Sequence, residues 1–488
     1  MGAEGCTHVW RRWRTPAGGV ILIALAARLL AGPLPLNYYD TAWALIWGRE
    51  IDHGRLPSYQ WAGASTPHPL ATAVGALVAP LGTSGAWQAV GAIVFLTFGV
   101  LDVALYAAVR SAFDSRLAGL LAAGALLLCP PFLSNALGGS GLADLPATAL
   151  VLSAAALELR RPRRGTAPLV LLALAGLLRP EAWGVTFGYW CWLASGRPPR
   201  RELLRATLIA LSAPLIWGAS DLVIAGNAAY SLTHAQTSVG HQTVASGIAA
   251  VPVVAFHGLR DLLGVPVLVI GCAGALVELF ERQRSGLVLV ALLAVSLAEF
   301  IALGVLHLPL VERYLLDSSA VIPAFFAYAL TRGRVAALRR LRLNARWLRS
   351  ASFIAAVAIA GYVGVVDITG VGRVATEQRA AVHAEADLVS IAPQAKRLLS
   401  RCGALYVPPY ALISLTAYDL DLPTSAVGRI AARIPRRGLV LAPRTGSVGR
   451  YFALGGARSR QVRRALAARG FKLLGYDRSW LLLGAGCD

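Results

Sequence analysis

Long apolar runs, broken by short gaps rich in arginine, recur along the first three quarters of this chain, and no other feature restricts its fold as much. A helix needs roughly 17 to 25 mostly apolar residues to cross the hydrocarbon core of a bilayer, because every backbone polar group must find its partner within the segment. Runs of that kind fall near residues 18–36, 86–109, 116–133, 143–159, 166–178, 182–195, 204–224, 261–280, 286–307, 310–330 and 351–366. The chain therefore reads as a polytopic α-helical membrane protein with about eleven transmembrane helices. The pair flanking Arg179-Pro180-Glu181 is short, so it reads either as two spans or as one broken helix or shallow hairpin.

Composition agrees. The chain is 56% hydrophobic and 15% charged, against about 25% charged in ordinary soluble domains. Its net charge of +21 is nearly all arginine, since Lys396 and Lys472 are its lysines. A nucleic-acid binder would gather such charge on one soluble face. Here it sits between apolar runs, where it records orientation by the positive-inside rule. With the amino terminus inside, 22 arginines fall in cytoplasmic segments and 5 in the opposite loops before the last span. Arg11, Arg12 and Arg14 precede the first run, Arg28 interrupts it, and no small-residue cleavage site follows, so a retained first span is expected rather than a signal peptide.

Two segments stand outside this pattern. The outer loop 37–85 holds Trp43 and Trp47 four residues apart and a second short apolar run at 71–78, and it is expected to carry two interfacial helices. From about residue 367 to 488 the composition shifts to a small extracytoplasmic α/β domain: an amphipathic stretch over 378–400, short apolar runs at 404–407 and 438–442, a basic helix at 458–469, and a hairpin turning at Asp477-Arg478. Residues 1–366 then form the transmembrane domain. Cys402 and Cys487 both fall in the outer domain, where oxidising conditions permit a disulfide, and are expected to pair.

Ionisable residues awkward at membrane depth are costly and mark function. His68, Asp144, Arg179, Glu181, His234, His241, Glu312 and Arg313 all fall on the outer side in this topology, and Asp40 stands where the first span meets the outer loop. A transporter would place such groups near the midplane. Arg28, Asp102 and Glu299 lie within spans and read as structural partners. Asp419-Leu-Asp421 imitates a metal-binding pair but reads as coincidence.

An early outer-loop Asp40, the stretch Arg-Glu-Ile-Asp-His-Gly-Arg-Leu-Pro at 49–57, His-Pro-Leu at 68–70 and Arg-Tyr-Leu-Leu at 313–316 follow one another in an order that resembles the C-type (GT-C) superfamily of polytopic membrane glycosyltransferases. The resemblance covers most of the membrane region and rests on a diffuse pattern. It implies a polyprenyl-phosphate sugar donor and a catalytic base in the first outer loop, which is Asp40 here. Many members carry two adjacent acids at that place, whereas Asp40 is followed by Thr41. Asp144 resembles a second acidic site, and Arg313-Tyr314 the family's Arg-Tyr.

The chemistry leads the same way. An acceptor hydroxyl must lose its proton as the new bond forms, which asks for a positioned carboxylate. The departing phosphate asks for cations or donors, for which Arg49, Arg55, His68 and Arg313 are the candidates. The expected function is sugar transfer, with inversion, from a polyprenyl-phosphate donor to a hydroxyl of a glycan, lipid or protein in the cell envelope. Membrane lipid is the surrounding partner, with no nucleic acid. No residue spacing demands a metal, although a divalent cation could join Asp40 and Asp144 if they meet. The alternatives are a transporter or flippase of lipid-linked sugars and a non-catalytic assembly protein. Asp40 and Asp144 also suit carboxylates that cap helix ends.

Overall fold

A computed structural model describes residues 3–32, 39–59, 61, 64–138, 141–163, 165–239, 245–340, 346–407, 412–430, 435–444 and 464–487. Each of the eleven apolar runs overlaps a helix, from Ala3–Ala31 through Gly82–Phe113, Arg116–Leu128, Asp144–Arg160, Thr166–Leu178, Ala182–Ser195, Arg200–Ala225, Val265–Glu281, Gly286–Val305 and Leu316–Tyr328 to Arg346–Cys402. The chain is a polytopic helical membrane protein with a small sheet near its carboxyl end. Among the described residues five helices are long and apolar enough to cross a membrane, or up to seven if each of two bent pairs counts as one span. The helices on either side of Arg179-Pro180-Glu181 have 13 and 14 residues, short of a full crossing.

The chain divides into two compact units. The first comprises Met1–Ala31, His68–Leu70 and Ala92–Val374, and the second Gly32–Pro67, Ala71–Gly91 and Ala375–Asp488. Most of segment 37–85 thus belongs with the carboxyl-terminal residues, an association that periodicity alone could not reveal.

In the first unit, helix Arg200–Ala225 is apolar outward: Leu204, Leu208, Leu211, Leu215 and Leu222 form an exposed stripe at helical spacing, while Ala213, Trp217 and Asp221 are buried. Water would reject that arrangement, and lipid favours it. Asp221 is accommodated because it accepts hydrogen bonds from the Ser231 backbone N–H at 2.8 Å and hydroxyl at 2.9 Å.

Helix Arg346–Cys402, 57 residues long, joins the last apolar run to the amphipathic stretch without a break. Over residues 351–370 its apolar side chains are mostly exposed. Beyond them Val371, Val374, Gln378, Ala381, Ala384, Leu388, Ile391 and Ala395 are buried, a stripe at intervals of three and four that Ala375, Glu385 and Ala392 widen.

The second unit holds a five-stranded sheet with β1 Leu405–Val407, β2 Val427–Arg429, β3 Gly438–Pro443, β4 Lys472–Tyr476 and β5 Trp480–Ala485, in the order β2-β1-β3-β5-β4. β1 is parallel to β2 and β3, while β5 runs antiparallel to β3 and β4. The apolar run Gly438–Pro443 is buried at every residue, as a central strand requires, and β5 alternates. Asp477 makes the hairpin turn by accepting from the N–H groups of Ser479 at 2.8 Å and Trp480 at 2.6 Å. The end of the long helix lies on this hairpin: Gln394 donates to the Leu474 carbonyl at 2.9 Å and the Trp480 indole to the Ala384 carbonyl at 2.6 Å. Cys402 and Cys487 are joined by a disulfide that ties the end of that helix to the last strand. Of the basic helix expected at 458–469, residues 458–463 lie outside the described residues and 464–467 are helical.

Candidate functional site

Helix Tyr39–Asp52 opens segment 37–85 and places Asp40 in its first turn. Nine consecutive residues, Asp40–Gly48, are buried. Trp43 and Trp47, which suggested an interfacial helix, pack in an aromatic core, with Trp43 against Trp61 at 5.5 Å and Trp47 against Tyr59 at 4.8 Å between ring centroids. Periodicity could not distinguish lipid from protein as the apolar partner.

Two other elements close around this loop helix. On one side Gly48 meets Gly75 of helix Pro69–Val78 so closely that a Cβ on Gly48 would stand 2.2 Å from the Gly75 carbonyl carbon. On another lies tail helix Leu412–Asp419, whose Ser414 hydroxyl donates to the Tyr39 carbonyl at 3.4 Å. Arg49, in the last turn, forms an ion pair with Asp421 at 2.9 Å and lies over the Tyr418 ring at 4.8 Å. Glu50 takes hydrogen bonds from the Ser58 N–H at 2.7 Å and hydroxyl at 2.9 Å, fixing the chain that leaves the helix. Arg55 is exposed and donates to His53. Asp419-Leu-Asp421, which the sequence offers as coincidence, has both carboxylates in use: Asp421 on Arg49, and Asp419 on the Trp87 indole at 2.9 Å.

In the first unit a second polar cluster forms around Arg179. Its guanidinium reaches Asp144 through Nη1 and Glu181 through Nη2, each at 3.1 Å, and stacks on the Tyr314 ring at 4.4 Å. Arg313 lies over the same ring at 5.6 Å. Pro180 explains the convergence. It ends helix Thr166–Leu178, so that Arg179 and Glu181 flank a break rather than continuing on a helix face. Asp144 enters from the first turn of its helix, 4% exposed. Burial alone would lower the pKa of Arg179, but Asp144 and Glu181 outweigh it and hold the guanidinium charged. Asp317 accepts from the Thr148 hydroxyl nearby, and Glu299 from the Val185 N–H at 3.0 Å. His68 is buried against Trp217, whose ring meets Trp183 at 5.8 Å.

The structure thus brings Asp144 and Arg313 together through Arg179 and Tyr314, whereas Asp40, Arg49 and Arg55 belong to the second unit. Arg179 and Glu181 were visible as awkward charges, but nothing in the sequence made Arg179 the hub of the cluster. The Arg-Pro-Glu break between two short apolar runs is the signal that could have found it. His234 stacks on Tyr230 at 5.3 Å, and His241 lies outside the described residues. Among the described residues no three His, Cys, Asp or Glu side chains converge as a metal ion would need.

No protein-family model matches the sequence, and no curated protein is significantly similar to it. Among solved structures, ArnT from Cupriavidus metallidurans bound to undecaprenyl phosphate superposes with a TM-score of 0.57 at 15% identity, over 99% of this chain and 98% of that one. The apo form of the same protein gives 0.57 at 16% identity, covering 98% of each chain. An oligosaccharyltransferase from Archaeoglobus fulgidus matches over 84% of this chain and 62% of its own, at 14% identity and a TM-score of 0.48. The chain shares the fold of ArnT over nearly its whole length.

Proposed function

We propose that this chain, built on that fold, is a glycosyltransferase that moves a sugar from a polyprenyl-phosphate donor to an acceptor hydroxyl at the outer face of the membrane. The observation that carries the reading is the end-to-end match to a protein holding undecaprenyl phosphate. It is supported by a buried carboxylate, Asp40, in the first turn of an enclosed outer-loop helix.

The acceptor oxygen attacks the anomeric carbon as the bond from that carbon to the phosphate oxygen breaks. Polyprenyl phosphate departs with the bonding pair, the acceptor proton passes to Asp40, and attack opposite the leaving group inverts the centre. The departing phosphate needs a cation or donor: Arg55 is the candidate in the unit that carries Asp40, while His68, Arg313 and Asp144, the last held on Arg179, lie in the first unit. Arg49, an expected phosphate group, is occupied by Asp421.

Nucleoside diphosphate sugars are cytoplasmic, so transfer at the outer face requires a donor already across, and a lipid-linked sugar is one. The outer-face assignment rests on eleven spans with the amino terminus inside, and the arginine asymmetry supports it. The acceptor class is a glycan, lipid or protein of the envelope.

Purified protein in detergent or proteoliposomes, given a polyprenyl-phosphate sugar carrying a radiolabel, tests the reading. Asp40→Asn, nearly isosteric, is expected to lower transfer by about 10²- to 10⁴-fold, the range a general base contributes, with expression and thermal stability kept. Transfer at the wild-type rate would remove the enzyme reading.

A further inference from the structure

We infer that the tail helix Leu412–Asp419 and the turn after it form a positioning clamp on the helix that carries Asp40, with Arg49 a member of the clamp rather than a phosphate ligand. This inference rests on the transferase reading for its consequence, though not for its geometry. The clamp touches the loop helix at both ends. Ser414 reaches the carbonyl of Tyr39, the residue before Asp40, and Tyr418 and Asp421 take Arg49 in the last turn. Those two points are about 15 Å apart along a helix of this length, so together they fix its tilt as well as its place.

The contacts are of unequal weight. Asp421 is 70% exposed, and an ion pair so open to water contributes little by itself. The larger share comes from the enclosed groups. Leu412–Tyr418 are buried without exception, and Arg49 lies over the face of Tyr418. Trp87 closes the arrangement from a third side: its indole donates to Asp419 and its ring meets Tyr418 edge-on at 5.7 Å. Asp419 and Asp421 thus divide their work. One anchors the clamp to Trp87 and the other meets the arginine of the helix being held.

A carboxylate that must meet a hydroxyl within hydrogen-bond reach is useful only if its helix cannot drift, since a displacement near 1 Å costs about 10²-fold in rate. The carboxyl-terminal domain thereby acquires a role distinct from binding an acceptor: it holds the base in register.

The test pairs hydrogen exchange with kinetics on the full-length protein. Arg49→Glu sets a third carboxylate beside Asp419 and Asp421, and Trp87→Phe removes the indole donor. Both are expected to speed amide exchange over residues 40–48 by about tenfold or more and to lower kcat by about tenfold, with the donor KM within about twofold of wild type. The charge swap Arg49→Glu with Asp421→Arg is expected to recover most of both losses. Recovery stays incomplete because Asp421 sits at φ 48°, where arginine is less at ease. Unchanged exchange in both single variants overturns the clamp. So does a raised donor KM with kcat kept and no recovery in the swap, which would make Arg49 a donor ligand. Should the wild-type protein transfer no sugar from any polyprenyl-phosphate donor, the enzyme reading fails alone, and the exchange data still decide the clamp.

Discussion

Gly48→Ala is the smallest change that should displace Asp40 without touching it. An added methyl at Gly48 would lie 2.2 Å from the Gly75 carbonyl carbon, 2.3 Å from the Ala76 nitrogen and 2.7 Å from the Gly75 oxygen. All three are backbone atoms, so no side chain can rotate away. Carbon atoms are comfortable at about 3.5–4.0 Å, so the two helices must part by roughly 1.3 Å or more. Overpacking of this kind costs about 1–3 kcal/mol, and rigid neighbours place it at the upper end. Alanine's better helix propensity returns about 1 kcal/mol, leaving a net loss of about 1–2 kcal/mol. The rate should suffer more than the stability, because a shift near 1 Å in a catalytic group is worth about 10²-fold.

Initial rates of sugar transfer and thermal unfolding in detergent measure the two effects. Gly361→Ala is the control, since its added methyl meets nothing within 4 Å, and it should leave both readings near wild type. If Gly48→Ala matched Gly361→Ala in kcat and Tm, the close crossing would have no hold on the site and the reasoning would fail.

Arg179→Met should destabilise the protein by about 3–5 kcal/mol, read as a fall in Tm, because it strands the buried carboxylates of Asp144 and Glu181 without their shared cation. Asp419→Asn tests a pH effect: burial raises the Asp419 carboxyl to about 7 from its ordinary 3.8, although Trp87 and Arg49 pull it down. The folded protein then keeps a proton that the unfolded chain has released, so stability falls as pH rises between about 4 and 7 and is level above. The amide of that variant retains the acceptor for Trp87 without the charge, and pH-resolved unfolding should show the slope flattened and stability at about pH 8 raised. Cys487→Ser opens a link between residues 85 apart in sequence and should cost about 2–5 kcal/mol, measured as earlier unfolding of the protein under non-reducing conditions.

Local pattern was enough to set the apolar helices and the strands. Apolar runs as long as those here can satisfy their backbones in lipid only as helices, so each became one, and the continuous apolar Gly438–Pro443 became a buried central strand. Asp40 and Asp144 were legible as carboxylates at exceptional places, and the hairpin at Asp477 as a turn. What periodicity cannot carry is the identity of the partner across an apolar face, which is why Trp43 and Trp47 suggested lipid and found protein.

Tertiary structure alone decided the associations between distant residues. It packed helix Tyr39–Asp52 with residues some 370 positions later, as in the pairing of Arg49 with Asp421, and gathered Asp144, Arg179 and Tyr314 into one cluster. The physical reason is that local pattern fixes how each segment satisfies its own backbone, whereas charge pairing and close helix crossings depend on which segments meet in space. No window along the chain contains that information.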